Sequence, residues 1–74
     1  MSVPIIQSQL KTLIDEPSAT VTYVGVAAPN ALTSVAVWRI QKIVVDGTVT
    51  SILWADGNNK FDNIWDDRAS LSYN

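Results

Sequence analysis

The residues best equipped for chemistry are four carboxylates in the last third of the chain, Asp56, Asp62, Asp66 and Asp67. Asp56, Asn58 and Asp62 could supply oxygen ligands to a hard cation such as calcium. The EF-hand pattern fails, however. Lys60 stands at the fifth position, Gly57 is in the wrong place and no Glu closes the loop. The same side chains are makers of turns and caps of helices, and we read them that way. Paired acids also serve glycoside hydrolysis, but 74 residues leave little room for a sugar cleft, and nothing sets one carboxyl apart as the acid. The chain contains no histidine and no cysteine. That removes the commonest general base, the commonest transition-metal ligand, the thiolate and the disulfide. Serine and threonine are plentiful but have no His or candidate Lys base to activate them. The expectation is no catalytic residue, no metal, no cofactor and no enzyme activity.

Trp38, Trp54 and Trp65 are the other candidates. Three indoles in so short a chain could form a sugar-stacking platform, which needs at least two exposed, coplanar faces. The plainer expectation puts at least two of them in the core. Arg39 and Arg68 can stack on an indole or pair with Asp66 or Asp67, and a structural ion pair is the expected use.

Length and charge narrow the partners. Seventy-four residues make one domain at most. Such a chain buries only about 60% of the surface its unfolded form exposes. With no disulfide or metal, self-association or docking onto a larger assembly is the remaining external support. The net charge is −2, and the five cations Lys11, Arg39, Lys42, Lys60 and Arg68 are scattered. No basic stripe exists to displace counterions from phosphates, so nucleic acid is not an expected partner. No run approaches the roughly 18 apolar residues of a membrane span. The first residues lack a basic segment followed by an apolar stretch, so no secretory signal is expected and synthesis in the cytoplasm is.

The elements that must position these residues fall into three zones. In residues 1–19, Ile6, Leu10, Leu13 and Ile14 lie at i, i+4, i+7 and i+8, the spacing of one helix face. Pro4 suits a first turn, and Glu16 before Pro17 predicts a stop near Asp15. This helix either covers its own sheet or acts as a docking arm through those four apolar residues. Residues 20–74 form the β domain. Strands are predicted over residues 20–26, 34–45 and 48–55, with a loop at residues 27–33.

Asp46-Gly47 signals a hairpin. A two-residue loop of Asp46 and Gly47 would pair Ile40 with Leu53 and put Trp38 and Trp54 on opposite faces. A three-residue loop of Val45, Asp46 and Gly47, with Gly47 left-handed, sets Ile40 against Ile52 and Trp38 against Trp54. That aromatic pair is worth roughly 0.5–1 kcal/mol, and this register is the expected one. Beyond Asp56-Gly57-Asn58-Asn59, a capped helical turn carrying Phe61, Ile64 and Trp65 should plug one end of a barrel. A last strand then places Ala69, Leu71 and Tyr73 on one face, which ties down the final residues. The fold class is mainly β: a small twisted antiparallel sheet or partly open barrel of four to five strands, with an N-terminal helix or arm.

Several strings together resemble a known group. They are Thr22-Tyr23-Val24-Gly25, Trp38-Arg39-Ile40-Gln41-Lys42-Ile43, Trp54-Ala55-Asp56-Gly57, Phe61-Asp62-Asn63-Ile64-Trp65-Asp66-Asp67-Arg68 and Leu71-Ser72-Tyr73. In combination they look like small structural proteins of tailed-bacteriophage virions. The resemblance covers residues 20–74 and leaves out the N-terminal zone. It implies a place on the particle, first as a capsid decoration or cement protein in many copies, otherwise as a tail, neck or fibre component. Its implied partners are further copies of itself and other virion proteins such as the major capsid protein. It supplies no catalytic residue. A free carbohydrate-binding module using exposed Trp is the alternative from another class.

Overall fold

Alternation of β-branched and aromatic residues with smaller or polar ones builds four antiparallel strands that pair in chain order. The structure is a computed structural model and describes residues 10–74. Strand β1 is Lys11–Ser18, β2 is Val21–Ala27, β3 is Ala36–Asp46 and β4 is Val49–Trp54. A short β5, Asn63–Ile64, pairs with the start of β3, and a 3-10 helix, Trp65–Ser70, follows it. The sheet is open: β1 and β4 are edges and do not meet.

Register sorts the side chains onto two faces. Leu13, Gly25 and Ile40 stand abreast, as do Asp15, Tyr23, Lys42 and Leu53. This face is the covered one. Its core is Tyr23, Ala27, Trp38, Ile40, Ala55 and Trp65, with Leu13, Val21, Leu71 and Tyr73 packed around it. The cover is the C-terminal segment. Trp65 lies against Trp38 with ring centroids 5.8 Å apart, and Tyr73 lies against Tyr23 at 5.9 Å. The Arg68 guanidinium pairs with Asp15 at 2.9 Å and ties this cover to β1.

Three expectations are corrected. The helix read through Leu10, Leu13 and Ile14 is a strand from Lys11 onward. Thr12 and Ile14 are β-branched, and β1 is laddered to β2 from Lys11↔Ala27 to Ser18↔Val21. That ladder overrides a helical spacing carried by few residues. Ile6 and the rest of residues 1–9 lie outside the described residues.

The hairpin register also differs. Asp46 pairs with Val49, so the loop is Gly47-Thr48. Ile43 therefore faces Ile52, and Trp54 faces Gln41. Trp38 lies on the other face from Trp54, opposite Asn63 of β5, and takes Trp65 as its aromatic neighbour. The expected register assumed that both indoles belong to one face, whereas β3 and β4 carry apolar residues on both.

The third correction concerns the end of the chain. No capped turn plugs a barrel. Phe61 is exposed, while Trp65 is buried under the sheet. The last strand shrinks to one bridge, Ala55↔Tyr73, and Ala69 lies in the 3-10 helix.

Gly47 does have the left-handed backbone expected of it, with φ +63°. A positive φ at the first loop residue, and not at the second, is the type II′ pattern. A Cβ at Gly47 would meet nothing within 4 Å, so a substitution there is penalised by the backbone alone. Gly47→Ala should destabilise by about 1–2 kcal/mol in urea unfolding, and Gly47→Asn by less. An Ala variant as stable as the parent would contradict the loop geometry.

Candidate functional site: an open sheet face

The face turned away from the core has no second layer over it among the described residues; Phe61 rests on its Arg39 end. Ile14, Val24, Gln41 and Trp54 stand abreast in one row; Thr22, Ile43 and Ile52 form the next, and Val45 and Thr50 the next. Val26 and Arg39 pair at the other end. Along the paired positions of β1 to β4, Arg39 is the one ionisable side chain on this face. Its guanidinium lies 4.9 Å from the Phe61 ring and 5.7 Å from the Trp54 ring, so the charge itself rests on aromatic surface. Ile14 and Ile52 are 64% and 56% exposed. Val45, at 40% exposure, extends this apolar surface toward the hairpin loop.

The residues singled out from sequence scatter around this face. Leu10 is half-buried just before β1. Leu13 points into the core and Ile14 onto the open face, so the two do not act together. The acidic residues do not assemble: among the described residues no three of His, Cys, Asp and Glu come together. The Asn58 Oδ1 accepts the Lys60 amide at 3.0 Å, which is a turn-making contact. Arg68 takes Asp15 as its ion-pair partner, in place of the expected Asp66 or Asp67. Trp38 and Trp65 are buried and Trp54 lies beside Arg39, so two coplanar exposed indoles are not available. The open face itself escaped the sequence reading. Its signal was present in Ile43, Val45 and Ile52, which make β3 and β4 apolar on their second side as well.

The covered side carries one strongly perturbed group. Burial chiefly, with help from Tyr23 and Asp56 and against the pull of Arg68, pushes the Tyr73 hydroxyl up to about 12. That hydroxyl donates to the Arg68 carbonyl at 2.7 Å. An unfolded tyrosine loses its proton near pH 10, while the folded one keeps it. Between pH 10 and 12 the native state therefore holds more protons, and stability falls as pH rises. The melting temperature should drop across that window by more in the parent than in Tyr73→Phe. Parallel curves for the two would disprove the linkage.

Fold and site together define a class: a small open-faced antiparallel β domain with one sheet side covered by its own C-terminal segment. Compared with known proteins, the chain matches no family model, no curated protein and no solved structure.

Proposed function

We propose that this protein is a non-enzymatic structural component of a tailed-phage virion, a capsid decoration or cement protein present in many copies. The observation that carries the assembly role is the open face, where Ile14, Val24, Ile43, Ile52 and Trp54 lie around a single charge. A module that covers joints between subunits needs an apolar contact side and little else. The short chain adds to this, because a marginal core gains stability from neighbours in a lattice. The place on a particle comes from the resemblance of residues 20–74, and its partners would be further copies and the major capsid protein. The carbohydrate reading lacks its platform, since Trp38 and Trp65 are buried.

Quantitative mass spectrometry of purified phage particles tests this reading. Hundreds of copies per particle support a capsid role. A dozen or fewer move the protein to the tail, neck or fibre, and its absence from particles overturns the proposal.

A further inference from the structure

The sheet has two edges, and only one is defended. β1 carries Lys11, Asp15, Glu16 and Pro17, and its register with β2 breaks between Asp15 and Ser18. Charge, proline and bulge are the devices that stop an edge strand from pairing. β4 has none of them. Residues 47–54 contain no charge and no proline, and the ladder to β3 runs without a break.

Backbone direction shows which groups are available. The Ala55 amide donates inward to the Ile40 carbonyl at 3.0 Å. Trp54 turns both of its groups outward, donating to Asn74 and accepting from it at 3.1 Å each. Peptide groups alternate along an antiparallel strand, so those of Thr50 and Ile52 also point outward. Among the described residues nothing pairs with them. The free stretch is bounded by the Gly47-Thr48 loop at one end and by Asn74 at the other.

We propose that a second copy of this chain occupies this edge, β4 against β4, antiparallel, with the two-fold axis at Ser51. Thr50 of each copy then faces Ile52 of the other, and each such pair exchanges both main-chain hydrogen bonds. Ser51 meets its own counterpart across the axis. This register uses every free outward group of Thr50 and Ile52 on both copies. Moving the axis to Ile52 would set Thr50, in the body of the strand, against a Trp54 already held by Asn74, whereas with the axis at Ser51 only the loop residue Thr48, where the chain turns back toward β3, comes opposite Trp54. Self-pairing brings identical side chains together, and an uncharged strand is the kind that tolerates it. The joined sheet continues the open apolar face across the seam, with Ile43 and Ile52 of one copy running on to Thr50 and Val45 of the other. Its outer ends are the two defended β1 edges, so the assembly closes as an isologous dimer. The inference rests on backbone geometry and holds whether or not the protein belongs to a particle.

Sedimentation of the full chain tests it. The parent should sediment at twice the 8.1 kDa chain mass. Ser51 is exposed, so Ser51→Lys leaves the fold intact, sets two ammonium groups face to face and gives a folded monomer by circular dichroism. Ser51→Glu should do the same, and an equal mixture of the two variants should recover a dimer. Thr50→Pro deletes one outward donor without touching the β3 ladder and should weaken the dimer about tenfold or more. A monomeric parent at the highest soluble concentration overturns the proposal. So does a Ser51→Lys protein that stays dimeric, or a Lys and Glu mixture that stays monomeric.

Discussion

Trp38→Ala should lower the stability of the domain by about 3–5 kcal/mol, the largest loss expected of any single truncation in its core. Trp38 is fully buried, at 0% exposure, and the structure spends four interactions on it. Its ring packs on Trp65, its indole N–H donates to the Leu32 carbonyl at 3.0 Å, and the Lys11 ammonium lies 5.7 Å from its centroid. Its backbone pairs with Asn63 in β5. Truncating a buried Trp costs about 3–5 kcal/mol. A domain of this length holds about 4–11 kcal/mol in total. The loss therefore removes roughly half of the margin at the middle of that range and all of it at the low end. Trp38→Phe keeps most of the apolar area, loses the hydrogen bond to Leu32, and should cost about 1–3 kcal/mol. Urea unfolding monitored by circular dichroism separates the two variants. A Trp38→Ala protein with the parent's midpoint would show that Trp38 is not at the centre of this core.

The strands were legible because they rest on local chemistry. β2, β3 and β4 each combine β-branched or aromatic residues with an adjacent turn signal, and their bounds lie within a few residues of expectation. Gly47 was legible for the same reason, since Asp-Gly between two strands calls for a left-handed residue. What failed depends on partners distant in sequence. Leu13 and Ile14 fit a helix face as well as a strand, and only the ladder from Lys11↔Ala27 to Asp15↔Tyr23 decides between them. The hairpin register turned on which residue opens the loop. Trp38 and Trp54 were weighed as though one face were apolar, while Ile43 and Ile52 make the second face apolar too. Trp65 pairs with Trp38 from 27 positions away, by the numbering, with the β3–β4 hairpin and a stretch of turns between them, and no local signal joins the two. The candidate site was hidden by the same fact. Its residues come from four strands, and no single segment displays it.

Gly25 gives the sharper test of how that distant cover is seated. It lies in the middle of β2, abreast of Leu13 and Ile40, and is buried. Glycine weakens a strand interior, so a close approach has to justify it. Here the approach is by the Trp65 ring. A Cβ on Gly25 would fall inside contact distance of the six-membered ring of Trp65 and 3.1 Å from Trp38 Cε3. Both neighbours are stiff rings packed on each other, so neither can step aside alone. Gly25→Ala should therefore cost about 1–3 kcal/mol, and Gly25→Val more. Strand propensity argues for the opposite sign, because valine is among the best strand formers and glycine among the poorest. The sign of the measured change thus decides between propensity and packing. The expected failure is also local. Displacing Trp65 moves the helix that carries Arg68, and with it the 2.9 Å pair to Asp15 and the cover over the core. Near-ultraviolet circular dichroism should lose its tryptophan signal before the far-ultraviolet strand signal changes. Trp65→Leu makes room for the added methyl group. The double variant Gly25→Ala with Trp65→Leu should then be more stable than the two single changes sum to, by about 0.5–3 kcal/mol. Additive effects would place Trp65 somewhere other than over Gly25, and a stabilised Gly25→Val would do the same.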